Sequence, residues 1–534
     1  MKKTLALLLA MLLVLTACGG PAASGAPAQS APAESAAEAP VSEEAPVEEP
    51  EAPVEEVPEE PAGPAVNLTD MTATGEGVTA EGNTVFISAA GTYTLTGAVE
   101  DGQVIIEAPD AEVALVLDNA SVKNSMGPAV SVVAAASVAV TLVGESTLED
   151  AETYPEGMVP TAAFYADAPL TFGGEGTLNV TSHTYDGIES TKGITFDGGV
   201  YNVVAGGGSP ADLVEIEDET LPDSNALYSH GDLVFNAGTF VLDSFMDGFC
   251  CAGLMTVVDG VVAEISSGDD GIHSDDTIVI SGGDLKVIRS IEGLEAMKIN
   301  VDGGNVSITS VDDGINAAGG DEDDMPPGFT KEELLTVVEE NSNHFMSFTG
   351  GTVEVDAQGD GLDSNGATFV TGGTVIVHGP TGFDNGALDY TSSGRIEGGV
   401  VLAAGSNGMA QNFDIASSQV SVNVGLEETI PAGSTITLTD AQGNVLIEHT
   451  MNKEFGSVVV SCPEMKVGET YTLTTGDVVT EFEVTDTIMS VGIGGMFGPP
   501  PMGMMPPPMD MGEMPPMPEG GMPPMGEFPA PPAA

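Results

Sequence analysis

The stretch Asp269-Asp270-Gly271-Ile272-His273-Ser274-Asp275-Asp276 decides the fold, because its core recurs through the middle of the chain. Copies begin at Asp186, Asn225, Asp247, Asp270, Glu292, Asp313, Asp360 and Thr381. From residue 225 onward, successive copies start 22, 23, 22, 21, 47 and 21 residues apart. A repeat of this length indicates stacked units, none of which can bury its apolar face alone.

Each repeat also carries a second β-type segment that is broken by a Gly-Gly pair, at residues 194–203, 278–287, 299–308 and 369–377. Glycine tolerates the positive φ of a tight corner. One strand, a glycine corner and another strand in each repeat predict one turn of a right-handed parallel β-helix, whereas a propeller blade needs about 40 residues or more. Earlier rungs are predicted at residues 115–122, 127–130 and 162–166, the last in register 24 residues ahead of Asp186. We therefore predict an all-β fold, a β-helix of about ten rungs over residues 66–411.

The charge balance restricts the possible partners. The 534 residues include 82 acidic and 11 basic side chains, a net charge of −71. Such a surface repels phosphate backbones and anionic lipid headgroups, so we expect no nucleic-acid partner. Cations are the expected partners.

The amino terminus predicts export. Met1-Lys2-Lys3 precedes a short apolar run, too short for a spanning helix once processed. The following Leu15-Thr16-Ala17-Cys18 box resembles a bacterial lipoprotein signal, which implies cleavage before Cys18 and lipid attachment to it. The protein is then expected on the extracellular face of the bacterial membrane, held by the lipid alone. An ordinary secretory signal with a chance cysteine is the alternative.

The remaining segments differ in composition. Residues 19–65 are rich in Pro, Ala and Glu and predict a disordered tether, because they carry too little apolar surface to fold. Residues 412–490 predict a small antiparallel β module that caps the helix, and the Met/Pro/Gly-rich residues 491–534 predict a disordered tail. Insertions at 206–223 and 319–344 are candidate walls of a cleft, the second with a capping box at residues 330–333 and a short helix. Beyond Cys18, the cysteines at 250, 251 and 462 indicate no disulfide framework.

Equivalent residues of successive rungs stack about 4.8 Å apart in a β-helix. The first turn position gives one column, which comprises Asp186, Asn225, Asp247, Asp270, Glu292, Asp313 and Asp360. Three residues on, a second column comprises Glu189, Tyr228, Cys250, His273, Glu295, Asn316, Asp363 and Asp384. The apolar residues between them, from Ile188 to Phe383, are predicted to point inward, so the second column is expected to point out.

Stacked carboxylates repel one another, and a divalent cation would turn this repulsion into coordination. Ca²⁺ suits several irregularly placed oxygens better than Mg²⁺ or zinc. The densest predicted cluster comprises Asp269, Asp270, Asp275, Asp276, Glu292, Glu295, Asp312 and Asp313, and Asp186, Glu189, Asp360 and Asp363 are further candidate ligands. The alternative is that each Asp only accepts backbone hydrogen bonds in an Asp-Gly turn. Cys250 and His273 are predicted to be bystanders, since one of each makes no zinc set.

Several motifs resemble a family of bacterial surface carbohydrate-binding proteins. They are the lipoprotein start, the Leu-x-Leu-x-Asn-Ala-x-Val and Gly-Pro-Ala-Val rungs at residues 115–122 and 127–130, the Asp-Asp-Gly-Ile-x-Ser turns and the Ile-Pro-Ala-Gly-Ser-x-Ile-x-Leu-x-Asp segment at 430–440. The resemblance covers roughly residues 66–490. It implies a pectate-lyase-like right-handed β-helix that binds calcium and is associated with cellulose and acidic pectic polysaccharide.

Three functions fit these patterns. The first is calcium-mediated binding of a polysaccharide, such as an acidic glycan, without catalysis, which the absence of Trp favours because stacking platforms are scarce. The second is a polysaccharide lyase, in which a base and a neutralising cation act beside a uronate, and Arg289 is the candidate cation. The third is a surface adhesin that recognises no glycan.

Overall fold

The computed structural model describes residues 63–155, 157, 161–214, 221–318 and 344–492. These residues form strands, turns and bends without a helix, which confirms the all-β prediction, and no helix among them could cross a membrane. The predicted signal peptide, Cys18, the tether up to residue 62, the helix after residue 330 and the tail from residue 493 lie outside the described residues.

The strands follow one another closely along the chain. The first thirteen are β1 (Ala65–Asn67), β2 (Thr72–Thr74), β3 (Val78–Glu81), β4 (Thr84–Ile87), β5 (Gly91–Val99), β6 (Gln103–Glu107), β7 (Glu112–Lys123), β8 (Val130–Ala134), β9 (Ser137–Val143), β10 (Glu145–Glu149), β11 (Ala162–Ala166), β12 (Leu170–Gly174) and β13 (Thr177–Thr181). The strands of the acidic repeats are β14 (Asp186–Ser190), β15 (Gly193–Ala205), β16 (Leu227–Ser229), β17 (Asp232–Ser244), β18 (Phe249–Cys251), β19 (Leu254–Val257), β20 (Val261–Ser267), β21 (Ile272–Ile280), β22 (Asp284–Ser290), β23 (Leu294–Val301), β24 (Asn305–Ser310), β25 (Ile315–Ala317), β26 (Phe345–Phe348), β27 (Thr352–Asp356), β28 (Leu362–Ser364), β29 (Ala367–His378) and β30 (Ser393–Gly405). The last seven are β31 (Ser421–Ile430), β32 (Thr435–Asp440), β33 (Val445–Thr450), β34 (Phe455–Ser461), β35 (Thr470–Thr475), β36 (Val478–Glu483) and β37 (Ile488–Gly492).

The repeats stack as three lines of parallel strands, in which each strand pairs with its equivalent one repeat away. Line A contains β4, β6, β8, β11, β14, β16, β18, the first parts of β21 and β23, β25 and β28. Line B contains β9, β12, β19, β26 and the first parts of β7, β15, β17, β29 and β30, together with the last parts of β21 and β23. Line C contains β10, β13, β20, β22, β24, β27 and the last parts of β7, β15, β17, β29 and β30. This arrangement is a solenoid-like parallel sheet.

Apolar side chains from all three lines fill the interior, and aromatic rings stack from rung to rung. Phe172, Phe196 and Phe235 are fully buried, and the ring centroids of neighbouring members lie 5.3 Å apart in stacked geometry. The predicted Gly-Gly corners join line B to line C. At Gly399, φ is +81° and a Cβ would lie 2.6 Å from the Gly372 carbonyl oxygen, so only glycine fits.

The predicted register holds through most of line A. Ala162 pairs with Asp186, as the 24-residue offset predicts. The last predicted repeat is wrong, because Phe383 is 78% exposed. Instead, Leu362 donates to the Ala387 carbonyl and accepts from the Asp389 N–H, which sets Leu388 opposite Leu362. Leu388 is 2% exposed and fills the core position that the sequence pattern gave to Phe383.

The C-terminal strands divide between two sheets. Strands β32, β33, β35 and β36 form a four-stranded antiparallel sheet. Strand β34 pairs antiparallel with the end of β30, and β31 pairs with β34 and β37. The end of line C is therefore continued by antiparallel strands instead of being left as an open edge.

Candidate cation site

Two stretches of the acidic first column, Asp186 to Asp270 and Asp313 to Gly386, form a hydrogen-bonded ladder along the turns before line A. In each pair, the side-chain Oδ1 of one rung accepts the backbone N–H of the next. The acceptor and donor residues are Asp186 and Asn225 (2.7 Å), Asn225 and Asp247 (3.0 Å), Asp247 and Asp270 (3.0 Å), Asp313 and Asp360 (2.6 Å), and Asp360 and Gly386. These side chains therefore accept backbone hydrogen bonds, which is the alternative to metal binding stated above. The bond occupies one oxygen of each accepting side chain.

The second column also has the predicted register. From Tyr165 to Asp363, its members are paired neighbours in line A. Tyr228, His273, Glu295 and Asp363 are partly buried, as expected of side chains that point out from the core, but Glu189, Cys250 and Asn316 are buried. Burial of these polar groups requires partners within the protein.

His273, for which the sequence offered no partner in a zinc set, lies among the carboxylates. Its Nδ1 is 2.9 Å from Asp270 Oδ2 and 3.1 Å from Glu295 Oε2, and its Nε2 is 3.2 Å from Asp275 Oδ1. Burial alone would lower the pKa of His273, but hydrogen bonds with these three carboxylates raise it well above its usual value. The charged ring thus supplies a positive charge at this rung.

A second acidic cluster has no such compensation. One carboxylate oxygen from each of Asp313, Asp360 and Asp363 lies within 4.8 Å of the other two. Burial raises the pKa of Asp313 to about 7, of Asp360 to about 7 and of Asp363 to about 6, and neighbouring carboxylates add to each rise. In the described part of the chain, no salt bridge joins these three groups to a basic residue. They form the uncompensated cluster.

Asn316 adds an unpaired oxygen next to this cluster. The residue is 8% exposed and pairs with Asp363 in line A. Its Nδ2 donates to both carboxylate oxygens of Glu292, at 3.0 and 2.9 Å. Its Oδ1 has no hydrogen-bond partner among the described residues. An orphaned amide oxygen beside carboxylates fits a hard cation, which takes oxygen ligands of both kinds.

The large cluster predicted from the sequence is therefore divided. Asp270 and Glu295 contact His273, whereas Asp313 joins Asp360 and Asp363. Asp269 is half-buried, and Asp275, Asp276 and Asp312 are exposed, with Asp276 3.9 Å from Lys298 Nζ. The earlier rung is internally satisfied too, since Glu189 accepts from His230 at 3.0 Å and from Thr161 at 3.3 Å.

The Arg289 side chain contacts the 206–223 insertion. Its guanidinium donates to the Ala211 carbonyl oxygen at 2.6 Å, and no salt bridge links it to a carboxylate of the described residues. The geometry therefore gives no support to a role beside Glu292.

Residues 81–222 and 208–378 match a family model described as "Carbohydrate-binding domain-containing protein", and together these segments exceed half of the chain. The chain belongs to this carbohydrate-binding domain family. A relative from Acetivibrio thermocellus with the same description is 28% identical over 137 residues, which are 24% of this chain and 48% of the relative. The chain thus matches about half of that relative's length. A solved structure described as "polysaccharide lyase-like protein from C. thermocellum, Gadolinium derivative" is 18% identical, with a TM-score of 0.28, and the match covers 64% of this chain and 95% of that one.

This carbohydrate-binding domain protein has a further polar cluster that the sequence did not indicate. His378 Nε2 lies 3.1 Å from Glu354 Oε1, and His449 Nε2 lies 3.7 Å from the same oxygen. Glu354 and His378 come from adjacent rungs, but His449 comes from the antiparallel sheet, and no sequence period links it to them. His378 Nδ1 accepts the Asn452 N–H at 3.1 Å, so Nε2 carries the proton. Metal ligation through Nε2 would need the opposite tautomer.

Proposed function

We propose that this family member binds polysaccharide through a divalent cation held by Asp313, Asp360 and Asp363. The observation that carries the proposal is the convergence of these three carboxylates within 4.8 Å with no basic partner among the described residues. The proposed scaffold is a right-handed parallel β-helix of about ten rungs. The proposed location is the outer face of the bacterial membrane, with the lipid attached to Cys18.

Calcium is the cation that best fits the donor set. Carboxylate oxygens, together with the free amide oxygen of Asn316, are hard ligands, and Ca²⁺ accepts six to eight of them in irregular geometry. Asp313 and Asp360 each accept a backbone N–H with one carboxylate oxygen, which leaves the second oxygen of each available to a cation. A protein set of this size leaves coordination positions that the hydroxyl or carboxylate oxygens of a sugar can fill. The ion then links an acidic protein to an acidic glycan, such as polygalacturonate.

The proposed activity is binding without catalysis. A lyase needs a cationic group beside the uronate in addition to the metal. Arg289, the candidate for this cationic group, instead donates a hydrogen bond to the Ala211 carbonyl oxygen. Lys298 and Lys192 face Asp276 and Asp167, outside the uncompensated cluster.

The test is a pull-down of the full-length chain on insoluble polygalacturonate and on cellulose, with calcium or with EDTA. We expect calcium-dependent retention on polygalacturonate and no rise in ultraviolet absorbance from unsaturated products. Asp360→Asn with Asp363→Asn should abolish the calcium-dependent part. Asp186→Asn is the matched control, because Asp186 has the same ladder bond but lies outside the uncompensated cluster. Retention that is insensitive to EDTA, or equal loss in the control, would contradict the proposal, and calcium-dependent product formation would establish a lyase.

A further inference from the structure

The turn between β33 and β34 docks on two rungs of line C through polar contacts. The Asn452 N–H donates to His378 Nδ1 at 3.1 Å, and Asn452 Nδ2 donates to Asp356 Oδ2 at 3.2 Å. Lys453 Nζ lies 2.7 Å from Asp356 Oδ1 and also donates to the Ala357 carbonyl. Strands β27 and β29 thus hold a turn that lies about 70 to 100 residues further along the chain.

The central residue of this contact is a neutral histidine. The His378 side chain is 0% exposed, and its two nitrogens have opposite roles. Nδ1 accepts from Asn452, whereas Nε2 donates to Glu354 at 3.1 Å. An imidazolium donates from both nitrogens. Protonation would therefore set an Nδ1–H against the Asn452 N–H and remove the acceptor that this amide has among the described residues.

The charged groups around His378 come from three elements. Strand β27 contributes Glu354 and Asp356, which favour protonation of the ring. Strand β33 contributes His449, whose ring centroid is 5.1 Å away, and the turn contributes Lys453. Burial is the largest influence and, with His449, it holds the pKa of His378 below its usual value despite the carboxylates. The ring is thus neutral at neutral pH and gains a proton only under acidic conditions.

We propose that His378 is a pH-sensitive latch, which holds the β33–β34 turn to line C when neutral and releases it when protonated. The released element is the β33–β34 turn, which follows an edge strand of the four-stranded antiparallel sheet. The β30–β34 pairing does not involve His378, so it holds the rest of the C-terminal region in place. This inference does not depend on cation or glycan binding.

Hydrogen exchange read by mass spectrometry tests the latch in the full-length chain at pH 7.5 and pH 5, with times corrected for intrinsic amide chemistry. In peptides that cover residues 450–456, the protection factor should fall about two- to tenfold at pH 5, which is the decrease expected for the loss of one hydrogen bond. Peptides from β15 and β17 should not change. In His378→Gln, the amide can still accept from Asn452 and donate to Glu354 but cannot be protonated, so the pH effect should disappear. His183→Gln is the matched control, since His183 pairs with Glu149 on another rung and should leave the pH effect intact.

A second variant keeps the test decisive if His378→Gln does not fold. Glu354→Gln retains an oxygen acceptor for His378 Nε2 and removes the carboxylate that favours protonation, so the loss of protection should move to lower pH. The proposal is overturned if the wild-type turn is equally protected at both pH values. It is also overturned if His378→Gln retains the pH effect, or if Glu354→Gln leaves the midpoint in place or moves it upward.

Discussion

The uncompensated cluster predicts an unusual dependence of stability on pH. The pKa of Asp360 is about 7 in the folded protein, against 3.8 ordinarily, and the pKa values of Asp313 and Asp363 are also raised. Because the folded state holds protons that the unfolded state has released, stability is greatest below the unfolded pKa and falls as pH rises from about 4 to about 7. A rise from 3.8 to about 7 would correspond to roughly 4 kcal/mol for an isolated, fully buried group. Partial exposure and shared protonation reduce this to roughly 1–2 kcal/mol per carboxyl.

A bound cation should reverse the loss. At pH 8, calcium at about 100 times its dissociation constant should raise the free energy of unfolding by about 2.7 kcal/mol, provided that it binds only the folded state. Urea unfolding followed by far-ultraviolet circular dichroism, at pH 5 and pH 8 with EDTA or calcium, measures both effects. Asp360→Asn keeps an Oδ1 for the Gly386 N–H and removes one charge. This variant should be more stable than wild type by roughly 1–2 kcal/mol at pH 8 in EDTA and should lose most of the calcium effect.

Asp186→Asn is again the control that distinguishes an effect of the uncompensated cluster from an effect of the ladder. Asp186 is buried and accepts the Asn225 N–H at 2.7 Å, so its substitution alters a ladder carboxylate without removing a proposed ligand. The calcium effect should survive in this variant. Equal stabilisation of wild type and Asp360→Asn by calcium would refute the assignment of the site. A difference between wild type and Asp360→Asn in EDTA that does not grow between pH 5 and pH 8 would refute the electrostatic reasoning.

Four other outcomes are expected from the same unfolding assay or from the pull-down. Leu388→Ala should cost about 2–5 kcal/mol, whereas Phe383→Ala should change stability by less than about 0.5 kcal/mol, because only Leu388 is buried. Gly399→Ala should cost at least about 1 kcal/mol, since φ is +81° and the added Cβ meets a carbonyl oxygen. His273→Gln should cost about 3 kcal/mol at pH 6 and less at pH 9, because the raised pKa of His273 adds stability that is complete below the unfolded pKa and declines above it. Arg289→Ala should leave retention on polygalacturonate unchanged.

The stacking of the chain was predictable because its cause is local and periodic. An apolar residue at Ile188, Ile272 or Leu294 must return to the interior once per turn, so the repeat length sets the register. The prediction failed at Phe383, where the segment Thr381-Gly382-Phe383-Asp384 imitates the motif but the chain makes an extra excursion before it re-enters the stack at Leu388. A pattern match cannot distinguish two apolar residues that are five positions apart. Which of them is buried depends on the path of the chain between β29 and β30.

The candidate site was predictable only in part. The sequence columns correctly place Asp313 and Asp360 in adjacent rungs, joined by a hydrogen bond from the Asp360 N–H to Asp313 Oδ1. They did not reveal the charge state of each rung, because this depends on side chains that reach across rungs, as His273 does toward Glu295. The contact between His449 and Glu354 could not be predicted from the sequence, because His449 lies in a segment that does not repeat.

The distribution of non-acidic residues in the two columns is the reason for the position of the proposed cation. Asn225 interrupts the first column next to Asp186, and His273 interrupts the second next to Glu295, so carboxylates at those rungs find an amide or a charged ring. Beyond Asn316 the interruption ends, and Asp363 is followed by Asp389, whose charge raises the pKa of Asp363 further. Among the described residues, no basic side chain pairs with these carboxylates to offset their repulsion. The proposed cation is therefore assigned to the rungs of Asp313 and Asp360 because of the His and Asn residues at the other rungs, more than because of the number of acids.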